Sequence, residues 1–64
     1  MPAPGKGEYL VEFQQVGNTV KVSAVDPVTN IEVSIVGDPA ASQDELTRVA
    51  VQKLEYVLAK RARG

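Results

Sequence analysis

Residues 8–36 read EYLVEFQQV, GN, TVKVSAV, DPVTN and IEVSIV: three alternating runs joined by two turn sequences. In the first run Tyr9, Val11 and Phe13 fall on one side, and Leu10, Glu12 and Gln14 on the other. That is the period-two pattern of a half-buried strand. Gly17-Asn18 then supplies a two-residue hairpin turn, with glycine taking the positive φ that a type I′ or II′ turn needs at its first central position. If Val16 opposes Thr19, Phe13 faces Val22 and Val11 faces Ala24. The second turn sequence works the same way. Asp26 bonds its own turn, Pro27 presets φ, and Asn30 tolerates the left-handed conformation that ends such a loop. With Asp26 opposite Ile31, Ala24 faces Val33 and Val22 faces Ile35. Two independent turns thus select one apolar face across strands Glu8–Val16, Thr19–Val25 and Ile31–Val36.

Working outward, Gly37-Asp38-Pro39 ends the sheet, and Ser42-Gln43-Asp44-Glu45 matches the capping-box pattern at a helix start. Leu46, Val49, Ala50, Leu54, Val57 and Leu58 recur at helical spacing, which predicts an amphipathic helix of about five turns. Asp44 and Glu45 in its first turn, and Lys60, Arg61 and Arg63 near its end, complement the helix dipole. The expected fold is α+β: a three-stranded antiparallel meander with one C-terminal helix packed on one face (β-β-β-α). Its centre should be Phe13, Val22, Ile35, Leu46, Ala50, Leu54 and Val57. Residues 1–7, with two prolines and two glycines, read as a flexible arm ahead of a single domain over residues 8–64.

Sixty-four residues is one domain at most, near the lower limit for folding without disulfides or metal. The chain has no cysteine and no histidine, so it lacks the commonest zinc ligands and the commonest general base. Neither Gly-Lys-Gly at residues 5–7 nor Gly17-Asn18 opens a helix, so no phosphate-cradling loop is visible. Ser23 and Ser34 fall opposite each other on the solvent side of the sheet, and Ser42 is accounted for as an N-cap. Asp38, Asp44 and Glu45 cluster near the helix start, where they favour its dipole without any EF-hand spacing. The residues therefore point to a protein that is not an enzyme and takes no cofactor, metal or small-molecule substrate. No stretch is long and apolar enough for a signal peptide or membrane span, which makes the cytoplasm the expected location.

Formal net charge is −1, which gives no overall attraction to nucleic acid. The charge is unevenly spread: residues 53–64 hold four basic side chains and one acidic. Helix-end electrostatics accounts for most of that cluster. The open sheet face, with Lys21 against Glu12 and Glu32, is a poor phosphate surface.

The remaining signal is apolar residues in unexpected places. Leu10, Val16, Val25 and Val36 fall on the face away from the helix, with Leu10 opposite Val25. Val51 and Tyr56 flank the helix stripe. Several such residues on so small a domain suggest a surface for self-association or a protein partner. The third strand, with few charges, is an edge open to pairing. The candidate interaction surface is Leu10, Val25, Val36, Val51 and Tyr56. The expected function is a small non-catalytic structural or protein-interaction module that self-associates as a homodimer. The alternative is a nucleic-acid-associated protein using the basic C-terminal end of its helix.

The run from Val16 to Gly37, VGNTVKVSAVDPVTNIEVSIVG, followed by Lys53 to Arg61, KLEYVLAKR, resembles a family of short uncharacterised alphaproteobacterial proteins. That resemblance implies a free-standing bacterial cytosolic protein and brings no catalytic or binding residues with it. Where the family tends to have glycine in the second loop, this chain has Asn30, which keeps the left-handed option.

Overall fold

The computed structural model describes residues 8–62. The arm expected over residues 1–7 lies outside them. Three strands, β1 (Leu10–Val16), β2 (Thr19–Asp26) and β3 (Ile31–Gly37), form an antiparallel sheet in the order β1-β2-β3, followed by helix α1 (Gln43–Ala62). The register agrees with the counting from both turns. Val16 pairs with Thr19, Phe13 with Val22, Val22 with Ile35, and Asp26 with Ile31.

The turns are built as their residues dictate. Gly17 has φ +60 with open space beside it, so glycine is needed there for its backbone freedom and not for room. Asn18 does not share the positive φ, which makes the turn type II′ in character. In the second loop Asp26 accepts from the Val28 amide at 2.9 Å and the Thr29 hydroxyl at 3.1 Å. The Asn30 amide closes the loop on the Asp26 carbonyl at 2.7 Å, with Asn30 itself left-handed at φ 65. Ser42 caps α1: its hydroxyl accepts from the Glu45 amide at 3.1 Å, and its carbonyl accepts the first helical bond, from Leu46, at 3.0 Å.

The core is smaller than the sequence pattern suggests. Val22 and Ala24 on β2 and Leu46, Ala50 and Leu54 on α1 are its buried apolar residues, with Tyr9, Val11, Val20, Ile31, Val33, Ile35, Ala41 and Leu58 packed around them. Two expectations are corrected. Phe13 is not at the centre but is 36% exposed, and Val49, expected in the helix stripe, lies outside it and is exposed. Ile35 and Val57, also expected at the centre, are half-buried, with Ile35 packed against the core from β3.

The reason is one of width. Strands lie about 4.8 Å apart and a helix with its side chains is about 10 Å across, so one helix covers about two strands. Here α1 packs against β2 and β3. Its buried residues fall on a single row at four-residue spacing, Leu46–Ala50–Leu54, leaving Val49 at the flank. The helix enters beside Gly37 of β3, where Leu46 fills the space that a Cβ on Gly37 would take. Farther along, its Glu55 comes beside Tyr9, just ahead of β1. That diagonal covers Tyr9 and Val11 in part and leaves the Phe13–Gln15 corner of β1 open.

Candidate interaction surface

The five residues expected to form an interaction surface lie in four separate places. Leu10 (61% exposed) and half-buried Val25 pair at one end of the open sheet face. Val36 (70% exposed) is at the other end, beside Lys21. Between them run the polar rungs Glu12–Ser23–Ser34 and Gln14–Lys21. On the helix, Val51 shares a flank with Glu55 one turn on, and Glu55 is the carboxylate next to Tyr9; that flank looks toward β1 and Val51 is half-buried. Tyr56 is on the opposite flank, 63% exposed, with the Lys60 ammonium 5.5 Å from its ring centroid.

Strand β1 carries uncovered apolar side chains on both of its faces. Leu10, Phe13 and Val16 are all exposed, and they occupy one seven-residue edge strand. Phe13 escaped the sequence reading because strand alternation alone assigns it to the buried face. The signal that finds it is the helix row, too narrow to cover a third strand.

The two sheet edges differ. A two-residue hairpin makes Val16–Thr19 a hydrogen-bonded rung, and such rungs alternate. Gln14–Lys21 and Glu12–Ser23 are therefore bonded rungs, and the N–H and C=O of Val11, Phe13 and Gln15 point away from β2 to the free edge. The same alternation aims the Glu32, Ser34 and Val36 backbone out of β3. On that side the Lys53 ammonium donates to the Ser34 carbonyl at 2.9 Å. A lysine there occupies an edge acceptor and sets a charge beside it, both of which discourage strand addition. Each edge strand has one charged residue of its own, Glu12 on β1 and Glu32 on β3, and among the described residues β3 also has the Lys53 ammonium on one of its outward carbonyls.

Burial raises the Tyr9 phenol above its usual pKa, and the nearby carboxylates of Glu55 and then Asp26 push it the same way. Asp26 is itself buried and its oxygens are taken up by the second loop. Of the hydroxyls considered as nucleophiles, Ser23 is buried beneath its cross-strand neighbours and Ser42 is bonded as the helix cap. Asp38 accepts from the Ala40 amide at 2.9 Å, ahead of the helix. Among the described residues no group of three or more acidic side chains is placed to hold a metal ion, and no helix is long and apolar enough to cross a membrane.

Comparison with curated proteins and with solved structures finds no match. A family model described as a domain of unknown function matches residues 6–61, spanning all three strands and nearly all of the helix, including both stretches that carried the resemblance. The chain therefore belongs to the family of domain of unknown function DUF6898.

Proposed function

We propose that this protein is a small non-catalytic interaction module that works through protein contacts and associates with itself. The observation that supports this most is the ratio of covered to uncovered apolar surface. Among the described residues five apolar side chains are buried, while Leu10, Phe13, Val16, Val28, Val36, Val49 and Tyr56 are large, apolar and exposed. A domain of this size has little core to stabilise it, so covering part of that surface in an assembly adds stability that the monomer lacks. The cytoplasm is the proposed location, since no charge pattern or apolar stretch directs the chain elsewhere.

The alternative, a nucleic-acid-associated role, has less behind it. Lys21 is on the open sheet face, in the layer opposite the helix. Lys53 is engaged with Ser34, and Lys60 sits over Tyr56. Arg63 lies outside the described residues. Among the described residues, Lys21, Lys53 and Lys60 are thus set on different parts of the domain, which gives a phosphate backbone little to follow. The test is sedimentation of the wild-type chain over a concentration series, with a parallel titration against duplex DNA and RNA at low and moderate salt. Concentration-dependent growth in mass without nucleic-acid binding supports the proposal. A chain that stays monomeric and binds duplex with a steep salt dependence would reverse the order of the two readings.

A further inference from the structure

Resting on the self-association reading, we infer that the contact is between two β1 strands, antiparallel about a two-fold axis through Phe13. The pairing joins two sheets into one of six strands, with both helices on the same side. Three observations carry this. First, among the described residues β1 has outward backbone groups at Val11, Phe13 and Gln15 with no partner, whereas on the β3 edge the Ser34 carbonyl accepts from Lys53. Second, the uncovered corner of the helix-side face is on β1, where Phe13 is half-open to water beyond the reach of α1.

Third, β1 is complementary to itself in one register. With Phe13 opposite the partner's Phe13, counting outward sets Leu10 against the partner's Val16 and Glu12 against the partner's Gln14. Every exposed apolar residue of β1 then meets an apolar residue, and the one charge of the strand meets a neutral amide. Phe13 has its backbone groups outward, so this is a hydrogen-bonded rung, as two-fold pairing at that residue requires. The adjacent registers are worse. An axis through Glu12 stacks two glutamates across the seam, and one through Gln14 sets Glu12 against Val16 and Phe13 against Gln15. In the favoured register the Phe13 pair lies in the trough between the two helices, facing the flank that carries Val51 and Leu58.

The chain has no cysteine, so a single introduced thiol reports the seam without background. Phe13→Cys, Glu12→Cys and Val36→Cys are oxidised with diamide at high micromolar protein while the wild type is sedimented at the same concentration. A hydrogen-bonded rung holds its Cα atoms about 5.5 Å apart, within disulfide range. Phe13→Cys should cross-link at least tenfold faster than the other two. A wild-type dimer with cross-linking fastest at Val36, or equal at all three sites, overturns the β1 seam and leaves self-association standing. A monomeric wild type with slow, equal cross-linking overturns both. Gln15→Pro provides a second reading that keeps residue 13 intact. It removes an outward N–H that β1–β2 pairing does not use, so it should weaken dimerisation at least tenfold while the far-ultraviolet spectrum is retained. An unchanged dimer affinity in that variant overturns the seam as well.

Discussion

The Lys53 ammonium lies 2.9 Å from the Ser34 carbonyl oxygen, tying the outer flank of α1 to the free edge of β3. The contact is exposed and contributes little to stability, about 0.5–1 kcal/mol. Its larger consequence is for assembly. Removing it would free the β3 edge as well, and beside the proposed β1 pairing a second self-pairing edge on one chain would build open-ended arrays instead of closed dimers. Lys53→Ala should therefore shift the melt only slightly but produce species larger than a dimer, visible as light scattering that grows with time and concentration.

Gly37 and Leu46 mark where the helix is seated on the sheet. A methyl group at residue 37 would run into the Leu46 side chain, which is buried and has little room to yield. Gly37→Ala should destabilise the fold by about 1–2 kcal/mol through overpacking. The cost should shrink in a Leu46→Ala background, and a double-mutant cycle of urea melts reads that coupling. Equal costs in the two backgrounds would mean that the helix enters elsewhere.

The core assignment separates residues that helical spacing alone treats alike. Leu54 is fully buried and Val49 is exposed. Leu54→Ala should cost about 3 kcal/mol, a large share of what so small a domain has. Val49→Ala should stay within about 0.5 kcal/mol. Chemical denaturation of the two variants side by side decides it.

Most of the architecture could be read from the sequence because two turns fixed the register independently. Gly17 and Asn30 hold the positive-φ positions expected of them, and Ser42 caps the helix as its spacing implies. What could not be read was the placement of the helix across the sheet. Alternation says that Phe13 shares a face with Val22, but not whether one helix is wide enough to reach it. The candidate surface suffered from the same gap. Leu10 and Val36 share a face as expected, yet polar rungs separate them, while Leu10, Phe13 and Val16 share an edge strand, with Phe13 on the opposite face from the other two. Edge chemistry depends on a contact between residues 34 and 53 that no local pattern encodes.

Asn30 adopts φ 65, a conformation that glycine takes freely and alanine resists. Asn30→Gly should be neutral or stabilising by a few tenths of a kcal/mol, and Asn30→Ala destabilising by about 1 kcal/mol. Thermal melts of the pair provide the check, and the reverse order would show that the loop closes another way.

The Tyr9 phenol titrates higher in the folded chain than in the unfolded one, because burial and the carboxylates of Glu55 and Asp26 disfavour its anion. A group whose folded pKa is raised contributes stability that is full below the unfolded value, near 10, and is lost as pH rises through the folded value. Tyr9→Phe has no such proton to lose. Its stability should fall less steeply than that of the wild type above about pH 10, while the two slopes agree near neutrality. Parallel slopes across the alkaline range would place Tyr9 in open solvent.

The proposed self-association runs through the edge that the helix leaves uncovered. Sedimentation equilibrium of the wild type, Phe13→Lys and Val36→Lys at high micromolar concentration tests it most directly. The wild type and Val36→Lys should fit twice the 6.8 kDa chain mass, and Phe13→Lys, which sets two cations face to face across the seam, should fit the single chain mass while keeping its circular dichroism spectrum. A wild type that remains at 6.8 kDa, or a Phe13→Lys variant that dimerises as well as the wild type, would contradict the account.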